Sequence, residues 1–256
     1  MNIRPIFSTI AMVLALSSAG AMARVHIDGD HCNIESGYST RVEAGRITFT
    51  NDTTHQVLAL LPGGMVEVDG KPLALDNADR ARVIDFERTV RKLVPEAKAL
   101  AVDAVAIAFE AVAHVSTAFA SNGHEARESA QRIARTADEL KRSINARDNW
   151  GPHSDREIGE LIEGTVGSLI GEMVGNITAQ AVKVALSGDE AAVAELEARA
   201  GSIEKNVEKA VEKRADELEQ RADALCQRVK ELDRIESQIS ARLPDGSAFD
   251  LVTIKR

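Results

Sequence analysis

The spacing of apolar residues changes once along this chain, from a period of two to a period near 3.6. Before residue 76 the apolar residues come in short runs, and residues 46–50 alternate between polar and apolar side chains. The Asp69-Gly70 pair favours a type I′ hairpin turn. These patterns predict a small antiparallel sheet within residues 24–76. A turn at Pro244 followed by an apolar segment predicts one more strand within residues 244–256.

Residues 77–243 carry the apolar spacing of three and four that is typical of packed helices, and Asp76 is expected to cap the first of them. We predict a bundle of about five helices, with a first helix ended by Pro95 and a central buried helix over residues 96–121. The last helix, over about residues 189–243, is long and coiled-coil-like, because two rows recur every seven positions. These rows are Val211, Leu218, Leu225, Leu232 and Ile239, and then Ala215, Ala222, Val229, Glu236 and Leu243. The predicted fold class is α+β, mainly α.

The first 23 residues follow neither pattern and are typical of a secretory signal peptide. Arg4 is their only charged side chain, residues 10–16 are apolar, and Ala21-Met22-Ala23 is a signal-peptidase site. This predicts cleavage after Ala23 and a location in the bacterial periplasm. No transmembrane span is predicted elsewhere, because the longest apolar stretch, residues 99–115, contains charged side chains.

Composition restricts the classes of partner that the protein is expected to bind. The formal net charge of −9 disfavours nucleic acid and anionic lipid as partners, and the 3% of aromatic residues offers few stacking platforms. The apolar fraction of 44% is sufficient for a folded core.

The chain has two cysteines, Cys32 and Cys226. In an oxidising compartment they are predicted to form one disulfide that ties the start of the mature chain to its last long helix. Two free thiols or a bridge between two chains are the alternatives.

Cleavage after Ala23 would create a mature terminus that reads Arg24-Val25-His26. A free amine, two backbone amides and an imidazole at the third residue form a square-planar nitrogen set for Cu(II) or Ni(II). This predicts a copper or nickel site, and the alternative is a frayed polar terminus. No other cofactor is expected.

Two helical stripes also attract a functional interpretation. Asp103, Glu110 and His114 share one helix face, where they could bind a metal or exchange a proton, although such a stripe is more often the side that meets water. The second stripe predicts a close helix contact within the chain or in a dimer, with a membrane-active surface helix as the alternative. It consists of Gly164, Gly167, Gly171 and Gly175.

Enzyme motifs are incomplete. Ser202 and Lys205 have the S-x-x-K spacing of penicillin-binding proteins without the partner motifs, and His124-Glu125 is followed by Glu128 where a zinc protease needs histidine. We therefore predict a non-catalytic interaction or scaffold protein of the cell envelope. It would bind an envelope protein or itself through helix faces. A metal-binding protein and a membrane-surface or chaperone-like helical protein are the alternatives.

Several short motifs resemble those of the YggN-like family of proteobacterial envelope proteins, which has no established activity. They are the early Cys32, the Gly70-Lys71 hairpin, Pro95, a glycine-rich helix, and the run Cys226-Gln227-Arg228-Val229. The resemblance implies a periplasmic location and paired cysteines, and it supplies no catalytic residues.

Overall fold

The alternating segments near the N-terminus form an antiparallel meander in a computed structural model, which describes residues 33–120 and 122–255. The strands before the helices are β1 (Asn33–Glu35), β2 (Tyr38–Glu43), β3 (Arg46–Asn51), β4 (Val57–Leu61), β5 (Met65–Val68) and β6 (Lys71–Pro72). Together with the later strand β7 (Asn149–Trp150), five of them form a six-stranded sheet of order β6-β5-β4-β3-β2-β7.

The edges of this sheet agree only in part with the sequence prediction. Asp69 and Gly70 have φ values of 50° and 74°, as a type I′ turn requires, so the predicted hairpin is confirmed. The return strand β6 contains Pro72 and lies at one edge, where the missing N–H of proline is harmless. The other edge is β7 (Asn149–Trp150), which pairs with β2 and was not predicted.

Four long helices follow in the described residues, which confirms the α+β, mainly α fold class. They are α1 (Asn77–Phe119), α2 (Gly123–Ala146), α3 (Pro152–Ser187) and α4 (Glu190–Ser237). The helix α1 begins as its sequence indicates, because the Asp76 carboxylate caps it by accepting the Asp79 N–H at 2.7 Å.

The prediction that a helix ends at Pro95 was wrong, since α1 continues through it. Proline removes one helical hydrogen bond and costs about 3 kcal/mol in a helix interior. Pro95 is exposed, so water can satisfy the carbonyl group that loses its partner. Buried Leu93 before it and buried Val105 and Phe109 after it pack on different neighbours, and this packing holds both halves in one helix.

The predicted end of the last helix near residue 243 was also wrong, because α4 ends at Ser237. The amides of Ser240 and Ala241, shortly after this end, bond to Asp79, which lies in the first turn of α1 and is 1% exposed. Its carboxylate accepts the N–H groups of Ser240 (3.0 and 3.1 Å) and Ala241 (2.9 Å) and the Ser240 hydroxyl (2.7 Å). Arg82 donates a further bond at 2.7 Å. This contact, here called the Asp79 clamp, replaces helical bonding at the end of α4.

The clamp changes the pKa of Asp79. Burial alone would raise it, but the bonds from Ser240, Ala241 and Arg82 outweigh burial and lower the pKa from 3.8 to about 2. The charged form is therefore the one that stabilises the fold. Its contribution is complete above about pH 4 and is lost as the pH falls through 2.

The main core lies between one face of the sheet, the first half of α1 and the last part of α4 with the segment after it. Phe49 of β3 and Phe86 of α1 meet with ring centroids 6.1 Å apart. The β4–β5 turn comes so close to α1 that a Cβ on Gly64 would lie 2.5 Å from the Arg80 carbonyl oxygen. Other buried members are Ile47, Leu58, Leu60, Val66, Val83, Leu225, Leu232, Ile239, Leu243, Phe249 and Leu251.

The central buried helix predicted over residues 96–121 is only half-buried. By length and composition α1 is apolar enough to cross a membrane, a test that core helices also pass, yet only 11% of its most apolar window is buried. The helices α2 and α4 cover two of its sides, and α2 contributes Ile133, Leu140 and Ile144 to a second core around Val105 and Phe109.

The two ends of the described chain meet. The last strand, β8 (Thr253–Lys255), pairs antiparallel with β1 in a separate two-stranded sheet, with Ile34 opposite Ile254. The predicted strand after residue 244 therefore forms, although it pairs with β1 and not with an edge of the larger sheet.

We predict that Asp79→Asn lowers the free energy of unfolding by about 3 kcal/mol, because an amide cannot replace a buried charged acceptor of several bonds. Urea denaturation at pH 7 measures the loss. Asp85→Asn is the matched control, since Asp85 lies on the same helix and is 57% exposed. An equal effect of both substitutions would show that the clamp contributes nothing special.

Candidate functional site

Three ion pairs join α1 and α4 at intervals of seven residues in each helix. Asp103 and Arg221 are 2.5 Å apart, and the same pairing repeats one heptad away in each direction. The flanking pairs are Glu96 with Arg228 and Glu110 with Arg214. This antiparallel register places the seam residues Leu225 and Leu232 against α1, which confirms the heptad seam.

The stripe of Asp103, Glu110 and His114 therefore has a structural role at two of its three positions. Asp103 is 42% exposed and Glu110 is 35% exposed, and each binds an arginine of α4. His114 is exposed. The described residues contain no group of three or more metal-ligating side chains. The stripe lies on the solvent-exposed side of the two helices, and each exposed ion pair of this kind contributes little to stability.

A buried carboxylate in the seam was not recognised as special from the sequence. Glu236 is 3% exposed and accepts the N–H groups of Leu251 at 2.5 Å and Val252 at 3.1 Å. Burial raises its pKa from 4.5 to about 7, although the two amides act in the opposite direction, and the charges of Asp250 and Asp233 raise it further. The sequence feature that could have identified Glu236 is its place as an acidic residue within an otherwise apolar heptad row. Glu236 holds the C-terminal segment to α4.

The helix α3 presents an open side to solvent. Its residues are apolar on most sides, and its few contacts to the bundle include Leu169 and the bond from Gln180 Nε2 to the Phe119 carbonyl oxygen at 2.7 Å. Its exposed side, here called the outward face, combines small and apolar residues that share one side at 100° per residue. The outward face consists of Gly164, Gly167, Gly171, Val174, Gly175, Thr178, Val182 and Leu186.

The four glycines predicted to make a close helix contact make none within the described chain. All four are exposed, and a Cβ built on Gly164, Gly167, Gly171 or Gly175 would meet no heavy atom within 4 Å. The fold itself therefore does not need glycine at these positions. A contact with another molecule, which was the other form of the prediction, is not tested by a single chain.

A cavity of about 180 Å³ lies where the ends of α1 and α2 meet α3. Its walls include Phe119, Ile133 and the hydroxyl pair Ser116–Ser129, whose oxygens are 2.5 Å apart. Pockets for small molecules are usually about 300–1,000 Å³. The cavity can hold a few waters and is too small for a metabolite-sized ligand.

The remaining predicted sites lie at the edge of the described chain or beyond it. Arg24, Val25 and His26 are outside the described residues, so the copper or nickel site stays a prediction. Cys32 is also outside them, one residue before β1. Cys226 lies on α4 and is 4% exposed.

Comparison with known proteins gives a family without a function. A family described as "Protein of unknown function (DUF2884)" matches residues 32–252. The chain belongs to the DUF2884 family. No curated protein and no solved structure matches it. The expected resemblance to an uncharacterised family is thus confirmed, and the narrower YggN-like, periplasmic assignment stays a prediction.

The family match includes Cys32, Cys226, the Asp79 clamp and the outward face. It excludes residues 24–26, so the predicted metal site has no support from the DUF2884 match.

We predict that this DUF2884 protein becomes less stable as the pH rises from about 4.5 to 7, in part because of Glu236. Folded Glu236 keeps its proton over this range while the unfolded chain releases it, so the contribution falls by about 3 kcal/mol and is constant above pH 7. Urea unfolding at pH 5 and pH 8 measures the difference.

Glu236→Gln removes this part of the pH dependence, whereas Glu231→Gln, an exposed position on the same helix, preserves it. If both variants kept the slope of the unmodified protein, Glu236 would not titrate in this range.

Proposed function

We propose that this DUF2884 protein is a non-catalytic interaction or scaffold protein of the cell envelope that binds its partner through the outward face of α3. The observation that supports the proposal is the chemistry of that face. Leu186 is 83% exposed, Val182 51% and Val174 49%, and all lie on one side of one helix.

The glycines strengthen this argument. Each glycine in an exposed helix interior costs about 1 kcal/mol relative to alanine. The fold gains no packing in return, since no described residue lies within 4 Å of a Cβ built at any of the four positions. Glycine is useful where another backbone must come close, so a partner that packs on α3 would explain why these positions carry no side chain.

The charge distribution favours the same surface. The chain has a net charge of −9, yet the outward face carries no charged residue from Gly164 to Leu186. Within this span the charged positions 172 and 183 lie roughly 100° to 120° around the helix from position 171. An uncharged strip on an acidic protein is typical of a protein contact.

The periplasmic location and the Cys32–Cys226 disulfide are part of the proposal. The signal-peptide pattern of residues 1–23 supports the location. The disulfide is supported by Cys226, which is buried and is not a free thiol. A second support is the position of Asn33, the residue after Cys32, which pairs with Lys255 of β8. The segment just before β8 is bonded to Glu236 of α4, the helix that also contains Cys226.

We predict that a photocrosslinking residue at Val182 captures a defined envelope protein in living cells, because this position lies on the outward face. Met65 is a matched control, since it is apolar, 53% exposed and located in the sheet far from α3 in sequence. Mass spectrometry identifies the product.

A discrete product at position 182 that is absent at position 65 is expected. Equal labelling at both positions, or none at position 182, would contradict a partner on α3.

We also predict that the intact mass of the protein purified from the periplasm corresponds to a chain that begins at Arg24 and lacks the two hydrogens of a Cys32–Cys226 disulfide. Treatment with a reductant should restore those two mass units. An uncleaved mass would refute the export proposal, and an unchanged mass on reduction would refute the disulfide.

A terminus at Arg24 would create the proposed Cu(II) or Ni(II) site at His26, which a copper titration with His26→Ala as control then tests.

A membrane-surface role is the second candidate, because the uncharged outward face could also lie on lipid. The acidic residues Glu160, Asp189 and Glu190 near its two ends disfavour an anionic bilayer. Co-sedimentation with neutral and anionic vesicles separates the candidates, since a protein contact predicts no binding to either.

A further inference from the structure

We propose that the partner on the outward face is a second copy of this chain, packed antiparallel along α3. This inference rests on the proposed interaction role of α3 and names the occupant. It starts from the observation that the outward face contains two complementary parts. Its first half is a groove of glycines, and its second half is a ridge of larger exposed apolar side chains.

The two parts are spaced so that one copy fits another. If two α3 helices run antiparallel about a two-fold axis at Gly175, residue 186 of one copy lies opposite residue 164 of the other. The most exposed apolar residue, Leu186, would then meet Gly164, and Val182 would lie beside Gly167 and Gly171. A two-fold axis makes each contact twice, so the surface complements itself.

A parallel arrangement does not achieve this fit. It would place Leu186 against Leu186 and Val182 against Val182, which holds the helices apart. The glycines would then face each other across a gap, and an unfilled gap forfeits contact energy. The order of groove and ridge along α3 therefore favours the antiparallel dimer.

Charge favours self-association at this surface in particular. Two copies with a net charge of −9 each repel one another over most of their surface. The outward face is uncharged from Gly164 to Leu186, so contact there buries no like charges. Glu160 before it and Glu190 after it limit the contact to this span.

The size of the face determines how strong the dimer is. Gly164 and Leu186 are 22 helical steps, or about 33 Å, apart and a helix is about 10 Å wide, so each copy contributes on the order of 330 Å². A standard interface needs about 800 Å² from each partner. The dimer is therefore expected to be weak and to depend on protein concentration.

Sedimentation equilibrium of the processed, oxidised protein tests the dimer at roughly 5 to 500 µM, a range that brackets weak association. The unmodified protein should approach twice the monomer mass at high concentration. Gly171→Leu should weaken dimerisation about tenfold or more, because a side chain fills the groove. Its Tm should not fall, since the added atoms meet nothing within the chain and leucine favours helix.

Gly201→Leu is the matched control, because Gly201 is exposed within α4 and a Cβ there also meets nothing within 4 Å. This variant should dimerise like the unmodified protein. Leu186→Asp is a second variant of the face and should also weaken the dimer. A mass that stays monomeric throughout, or a Gly171→Leu protein that dimerises as well as Gly201→Leu, would overturn the proposal.

A photocrosslinker at position 186 determines whether the two α3 helices run antiparallel or parallel. The antiparallel dimer predicts a crosslink from the tryptic peptide of residues 184–199 to the peptide of residues 157–183 of the other copy. Fragmentation of the linked peptides must place the second attachment point near residue 164, because residues 182 and 183 of the same copy also belong to peptide 157–183. Positions 164 and 186 lie about 33 Å apart along one helix, so one chain cannot produce a link between them. A crosslink between two copies of peptide 184–199 would refute the antiparallel arrangement. A crosslink to a different protein would refute the second copy while leaving the proposed interaction role intact.

Discussion

The buried carboxylate of Asp79 connects parts of the chain that lie 161 residues apart in sequence. It lies in the first turn of α1 and accepts the amides of Ser240 and Ala241 after α4, so the start of α1 and the end of α4 are held together beside the sheet. A buried charge that lost these bonds would be costly, and a protonated Asp79 would accept the amides of Ser240 and Ala241 more weakly than the charged form. The position of the C-terminal segment, and through Glu236 that of β8, depends on this contact.

The helices α1, α2 and α4, here called the frame, pack on one another and leave one side of α3 exposed. The helices α1 and α4 satisfy each other through an apolar seam and three ion pairs, and α2 covers another side of α1. The described residues of α3 make few contacts with these three helices, and Val174, Val182, Leu186 and the four glycines face outward.

Sequence predicted what depends on neighbours along the chain. The Asp69-Gly70 hairpin, the Asp76 cap and the heptad row of α4 are local patterns, and they form as expected. The errors concern contacts between distant segments. Packing on two cores carries α1 through Pro95, and a carboxylate 161 residues away ends α4 early. The strand β7 has two residues, too few for any periodicity.

The candidate surface was partly visible in advance. The glycine spacing in α3 indicated a contact, but spacing alone could not tell whether the partner lay within the chain. Only the empty space around each glycine and the exposure of Val182 and Leu186 separate the two cases. The stripe of Asp103 and Glu110 is the opposite case, because its partners lie within the chain. They are arginines of α4 that are distant in sequence.

Hydrogen exchange of the dilute, processed protein tests the central claim most directly, namely that a clamped frame carries a lightly held α3 with one open face. The account predicts that the amides of Ser240 and Ala241 and of the first half of α1 exchange only with global unfolding. The amides of residues 164–186 should exchange about a hundredfold faster or more, because local opening of α3 breaks few contacts. Protection of residues 164–186 equal to that of α1 would contradict the account.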